Sequence, residues 1–301
     1  MTGQDRRPGV AVVHPGPCPE ERIVSVPSRV QVVRAELPPG RRLTDALWDL
    51  LEPTGALAAA VEFGPGTFGN IPYVFPAVGQ TDRHTMSFTA VHRSPGPNVL
   101  LGGSATVGMR FGERFTHTHA TWLDATGVIR GGHLMPEATV GEVPILVVMR
   151  ALLDAEQLST DCEETELPAF CPRPHPYPGD EAPPGPRAVV SRVRPGVILD
   201  EAVVEVCRRA GFRDAVVRGS LGSTVGALLD KEDQELVAVD WPAVEFTELI
   251  GVVRGADGPR PRVQLQGSLV DIHGEVHHGV VRNGRNPVAV TFELYVEESP
   301  A

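Results

Sequence analysis

Three histidines carry the chemistry this chain is equipped to do. Two stand at i and i+2 in Phe115-Thr116-His117-Thr118-His119, and a third follows in Gly131-Gly132-His133-Leu134. On an extended strand side chains alternate faces, so His117 and His119 point the same way. Between the two motifs, Asp124-Ala125-Thr126-Gly127 is a turn signal ending in a glycine able to take the left-handed conformation, which predicts a β-hairpin. If Gly127 is the bulge that closes a three-residue loop, His119 falls opposite His133, with His117 two residues along on the same face. Three imidazoles then converge from adjacent strands. Three nitrogen donors with an open fourth position make the ligand set of catalytic zinc sites, where the metal activates water or polarises a carbonyl. A lone strand histidine is ordinarily solvated, so the expectation rests on all three converging.

The elements that must hold this hairpin are written on both sides of it. Arg29–Ala35 alternates and is rich in valine, which predicts a strand. Thr44 is a candidate cap for a helix from Asp45 to Glu52 with Leu43, Leu47, Leu50 and Leu51 as its apolar stripe, stopped by Pro53 and Gly55. Leu57–Phe63 is expected to be a buried strand. The glycine cluster Gly64–Gly69 lacks a phosphate-loop pattern and suits close packing. Residues 71–115 break into several strands, with Arg83, His84 and His92 on the surface. Val143–Val148 predicts a last apolar strand, leading into a short helix through Leu153. Residues 1–21, rich in proline, glycine and charge, are expected to form an extended arm with a solvated His14. Residues 161–186 carry six acidic residues against one arginine and then a run of prolines, which predicts a semi-stiff linker. Cys171 and His175 within it lack a second ligand pair and are not expected to hold a metal.

The second half repeats the first. At an offset of 156, Gly40 matches Gly196, Leu43 matches Leu199, Gly55 matches Gly211 and Gly66 matches Gly222; at 147, Gly127 matches Gly274. At the second offset the histidines are gone: His117 and His119 become Gln264 and Gln266, and His133 becomes Val280. Glutamine is a poor transition-metal ligand and valine is none. His273, His277 and His278 lie nearby but displaced, and the last two, being adjacent, would face opposite ways on a strand.

The HxH strand followed by GGHL resembles the core motif of the plants-and-prokaryotes-conserved (PPC) domain. The resemblance implies an α/β (α+β) unit with a largely antiparallel sheet and packed helices, here twice in tandem: residues 22–160 with the histidine site and residues 187–298 as a degenerate copy. It also implies His117, His119 and His133 as metal ligands, Gly131 and Gly132 as close-packing positions beside them, and a trimer-like homo-oligomer. Met135-Pro136-Glu137-Ala138 lacks the glycine that usually follows the motif, and Glu142 stands at a different distance from it, so that acid is not carried over.

Charge and composition exclude several alternatives. The 301 residues carry a net charge of −11, and no AT-hook is present. Nucleic-acid affinity rests on phosphate neutralisation, so this balance weighs against DNA binding. Lys231 is the single lysine among 27 basic residues, a pattern of GC-rich bacterial coding. Four cysteines at unrelated spacings give no disulfide framework and suit a reduced, cytoplasmic protein, and no apolar run is long enough to span a membrane. Three functions remain: a zinc-dependent enzyme on a small molecule, such as a hydrolase or lyase; a regulatory or DNA-associated module; and a structural oligomer. One maintained site beside one eroded copy favours the first. Its candidate acid–base residues are Glu113, Asp124, Glu137 and Glu142, with Glu113 and Arg114, next to the motif strand, in first place.

Overall fold

The structure, a computed structural model, describes residues 12–81, 84–177, 185–231 and 235–299. Most of the expected N-terminal arm, Arg83 and part of the expected linker lie outside the described residues. Strands dominate. Among the described residues there are two α-helices, α1 (Leu43–Leu51) and α2 (Leu199–Ala210), so the α/β expectation narrows to a mostly antiparallel β architecture. No helix is long and apolar enough to cross a membrane.

Strand β1 (Ile23–Leu37) joins the two halves because its ends take different partners. Val30–Leu37 pairs with Ile145–Leu152, and Ile23–Arg29 pairs with Arg187–Val193. From Ile145–Leu152 the sheet continues through β2 (Ala58–Phe63), Asn98–Arg110, Glu113–Leu123 and Ile129–Leu134. From Arg187–Val193 it continues through Val288–Glu298, Ala215–Thr224, Val244–Arg254, Arg262–Val270 and Val276–Val281. The two orders correspond strand for strand, and each half has its helix at the same place. Backbone geometry repeats as well: Gly55 and Gly211 end their helical segments at φ 72° and 71°, conformations that glycine adopts at no steric cost. A Cβ on Gly66 or Gly222 would come within 2.6 Å of the Cα of Ile145 or Phe292, residues themselves 147 apart.

Each helix buries one stripe. Leu43, Leu47 and Leu51 of α1 join a core with Phe63, Phe68 and Trp122, and Leu199, Val203 and Val206 of α2 join one with Phe246 and Phe292. Burial of each such side chain stabilises by roughly 1.5–3 kcal/mol. The two sheets then meet face to face, with the motif hairpin on the Val244–Arg254 strand. Thr121 and Thr247 share a buried hydroxyl contact of 2.8 Å there. Gly131 allows the approach, since a Cβ would stand 3.1 Å from Val276 and 3.3 Å from Val270. At Gly132 a Cβ would meet the Val74 carbonyl at 2.5 Å, so the GGHL glycines do pack closely.

Four local expectations are corrected. Thr44 does not cap α1: the helix begins at Leu43, whose amide is met by the Ala138 carbonyl, and Thr44 is buried with its hydroxyl 2.7 Å from that of Thr116. No helix runs to Leu153, because β1 and β2 together pair with the whole of Ile145–Leu152. The linker expected over 161–186 contains the strand Pro168–Pro174, paired with Ala155–Asp161. Its prolines are tolerated because it ladders with that one neighbour and its other edge needs no donors. His14 is not simply solvated: its Nε2 lies 2.6 Å from the Ala289 carbonyl, and the adjoining Val12 packs on Val290 and its neighbours.

Candidate metal centre

The motif hairpin forms as its turn signal requires. Asp124 Oδ1 accepts the amides of Thr126 and Val128, Gly127 sits at φ 81°, and Cα register sets His119 opposite His133. His117 and His119 share the face that looks toward the second half. The nitrogens converge: His117 Nε2 is 3.0 Å from His119 Nε2, which is 3.3 Å from His133 Nδ1, and all three lie within 4.8 Å of one another. Tetrahedral zinc with bonds of ~2.0–2.1 Å separates its nitrogens by roughly 3.3 Å, so the cluster has the right span.

The outer nitrogens fix the protons. His119 Nδ1–H donates to the Phe246 carbonyl at 2.8 Å, and a carbonyl only accepts, so Nδ1 must carry the hydrogen. His117 Nδ1–H donates to Glu293 Oε1 at 2.8 Å. His119 is fully buried, and burial, reinforced by the charges of His117 and His133, holds it well below the ordinary histidine value. Burial, then His117 and Arg110, brings His133 down to about 3. With Nδ1 of His117 and His119 turned to Glu293 and Phe246, their Nε2 atoms face each other at 3.0 Å, a spacing that a shared cation or a shared proton bridges.

The second half completes the site. Glu245 Oε1 is 3.6 Å from His119 Nε2, and Glu293 holds His117 from behind. Each has its Oε2 buried without a hydrogen-bond partner among the described residues. Burial pushes Glu245 up to about 8. The donor set and the orphaned carboxylate oxygens therefore fit a bound divalent metal. Beside the histidines lies a cavity of about 320 Å³ walled by Met86, Phe88, Phe115, Leu167, Phe170 and Val290, with Arg110 as the cation on its lining.

Glu113 and Arg114 do not belong to this site. Glu113 shares the histidines' strand face but sits exposed at the strand's outer end, and Arg114 turns the other way to pair with Glu52 and cover Trp48. Asp124 is spent on the turn and on Arg130, while Glu137 and Glu142 are exposed. The acids the sequence reading missed are Glu245 and Glu293. Their signal was a carboxylate inside an apolar strand, in Val244-Glu245-Phe246 and Phe292-Glu293-Leu294, a placement that needs a partner when buried.

The register of the second half carries the loss of ligands into three dimensions. Gln266 stands opposite Val280 as His119 stands opposite His133. Asp271, Glu275 and His277 cluster there, but as the counterpart of the first hairpin's turn. Asp271 Oδ1 accepts the amides of His273 and Glu275, and its Oδ2 meets His277 Nε2 at 2.9 Å where Asp124 Oδ2 meets Arg130 Nε at 3.0 Å.

Fold and site together define a mostly antiparallel β-protein whose three-histidine cluster, carried by one half, is closed by carboxylates of the other. Residues 181–300 match the family model of the Plants and Prokaryotes Conserved (PCC) domain. The family expected from the HxH and GGHL motifs is thus matched on the half that lacks the histidines. No curated protein matches the chain. Similar solved structures include a PPC protein of Pyrococcus horikoshii, 17% identical over 46% of this chain and 89% of its own, with a TM-score of 0.33. A metal-containing protein of Archaeoglobus fulgidus is 20% identical over 48% and 95%, with a TM-score of 0.36. A "putative dna binding protein" of Bacteroides thetaiotaomicron is 11% identical over 49% and 96%, with a TM-score of 0.37.

Proposed function

We propose that His117, His119 and His133 hold a divalent transition metal, zinc by the ligand set, and that the chain acts on a small molecule in the adjoining cavity. The observation that carries this reading is the convergence of three histidine nitrogens within 4.8 Å, with the outer nitrogens of His119 and His117 turned to Phe246 and Glu293. Bound there, zinc supplies a Lewis acid for polarising a carbonyl or activating water, which suits a hydrolase or a lyase. Glu245 is the proton carrier: burial lets it hold a proton near neutral pH, and positive charge at the histidines favours its release. Glu293 orients the His117 ring, and the apolar wall keeps bulk water from the reacting atoms. The two halves are tandem copies, 22–160 and 187–298; the second lacks the ligand histidines and supplies the carboxylates that close the first copy's site.

After zinc loading and dialysis the protein is expected to keep about one zinc per chain, as one three-histidine site requires. His133→Ala is expected to keep none, and His277→Ala to keep as much as the unaltered protein. Zinc retained by His133→Ala, or lost from His277→Ala alone, rejects the assignment. The assembly proposed is a trimer-like homo-oligomer, and a monomer mass by light scattering at micromolar concentration rejects it. The name of the Bacteroides protein raises DNA association as a second reading. With a net charge of −11, a fluorescent duplex titrated at low salt is expected to show no saturable binding.

A further inference from the structure

Arg110 is the cation of the cavity, and it has no ion-pair or hydrogen-bond partner among the described residues. It lies on the strand face that carries His117 and His119, with Glu113 as its cross-strand neighbour but beyond ion-pair distance. Its guanidinium carbon stands 5.5 Å from the ring centre of Phe111 and 5.2 Å from that of Phe115, both within cation–π range. Phe111 is an unusual residue for its place. It occupies the two-residue turn with Gly112 at φ 52°, a left-handed conformation that favours glycine or asparagine, and it is 70% exposed. Neither turn geometry nor burial rewards a phenylalanine there, whereas contact with Arg110 does. Backbone strain at such a residue is a mark of function when an observed contact explains it.

Away from the histidine end the rest of the lining is apolar apart from the hydroxyls of Ser159, Ser223 and Thr291. Its volume of about 320 Å³ is that of a small ligand site. A guanidinium held by two rings keeps its N–H edge for a planar anion, and carboxylate matches that fork with two parallel hydrogen bonds. A doubly charged phosphate suits the cavity less, because Glu245 and Glu293 line it and Arg110 is its one cation among the described residues.

We propose that the cavity takes a small carboxylate with an apolar body, its carboxylate on Arg110 and its other end toward His117, His119 and His133. The orientation rests on reading the histidines as the reacting end; capture of the carboxylate by Arg110 does not need the metal. The probes are 4-phenylbutyrate and its neutral counterpart 4-phenylbutan-1-ol, titrated calorimetrically into zinc-free and zinc-loaded protein. The acid is expected to bind at least about tenfold more tightly than the alcohol in both forms, as a charge-assisted bidentate pair implies. Arg110→Gln is expected to erase that preference while still binding the alcohol, and an unaltered circular dichroism spectrum shows that the variant is folded. Phe111→Asn is expected to weaken the acid by about threefold yet raise the melting temperature, since the ring contact is lost and the left-handed turn relieved. A simple structural role for Phe111 would not move the two readouts in opposite senses. Equal affinity for acid and alcohol, an undiminished preference in Arg110→Gln, or no saturable binding of either probe overturns the proposal. Zinc content measured on the same samples separates the two readings. Protein that fails to load zinc but prefers the acid through Arg110 rejects the metal alone, and zinc-loaded protein without that preference rejects the carboxylate alone.

Discussion

Zinc added to metal-free protein at pH 8 is expected to raise its unfolding free energy by about 4 kcal/mol when the free ion stands at a thousand times its dissociation constant. The same addition to His119→Ala is expected to do almost nothing. Loss of the outer partner in Glu293→Ala should weaken binding by roughly 10–100-fold rather than abolish it. The pH dependence distinguishes the two states. Burial, reinforced by Glu62, pushes Glu248 up to about 7, as burial pushes Glu245 up to about 8. A carboxyl raised in the folded state contributes stability that is complete below its unfolded value and lost as pH rises through the folded one. His119 and His133 are depressed and act in the opposite sense, losing stability as pH falls below ~6.5. Between pH ~4.5 and ~6.5 the two effects oppose each other; above that, the carboxyls alone titrate. Metal-free protein should therefore lose on the order of 2 kcal/mol between pH 6.5 and 8. Zinc-loaded protein should lose less over the same range, because positive charge beside Glu245 favours release of its proton in the folded state. Urea unfolding at pH 5.5, 6.5 and 8 measures both slopes; parallel slopes, or full zinc stabilisation in His119→Ala, would count against the site.

Arg150→Met is expected to cost about 3–5 kcal/mol, the usual penalty for breaking a buried ion pair from one side. Arg150 is 6% exposed and joins the halves: its Nη1 meets Glu62 Oε2 at 2.5 Å, and its Nε lies 3.3 Å from Glu297 Oε2 without an aligned hydrogen bond. Tyr295 O–H donates to the same Glu297 oxygen at 2.8 Å, and the guanidinium carbon stands 5.7 Å from the Tyr295 ring centre. Removing the cation leaves Glu62 and Glu297 without their common counter-charge, with the charge of Glu248 acting on Glu62. The loss should shrink at pH 5.5, where Glu248 holds its proton, and Glu62→Gln in the same chain should restore part of it. A loss below about 1 kcal/mol by urea unfolding would mean that solvent screens the pair as it does at a surface. Corresponding positions of the two halves carry opposite charges here: position 218, matching Glu62 at an offset of 156, is Arg, and position 297, matching Arg150 at 147, is Glu.

Short-range rules were enough for the hairpin. Period-two alternation set His117 and His119 on one face, and the turn Asp124–Gly127 fixed the register that brings His133 opposite His119. The correspondence of strand order and of Gly55 with Gly211 was also legible, because glycines at required backbone positions keep their spacing when other residues change. The readings that failed, the Thr44 cap, the helix through Leu153 and the 161–186 linker, depended on partners that the segment's own composition does not show. Thr44 looks like a cap, but the Ala138 carbonyl, brought by the fold, supplies the partner that Leu43 needs. The proline-rich stretch looks like a linker, yet Pro168–Pro174 finds an edge where its missing donors cost nothing, and it becomes a wall of the cavity. The acids of the site lie furthest from local rules. Glu245 and Glu293 are 126 and 176 residues from the histidines they meet, and no periodicity connects strands of separate sheets. Only the packing of one sheet on the other, made possible where Gly131 lets Val270 and Val276 approach, decided which carboxylates face the three imidazoles.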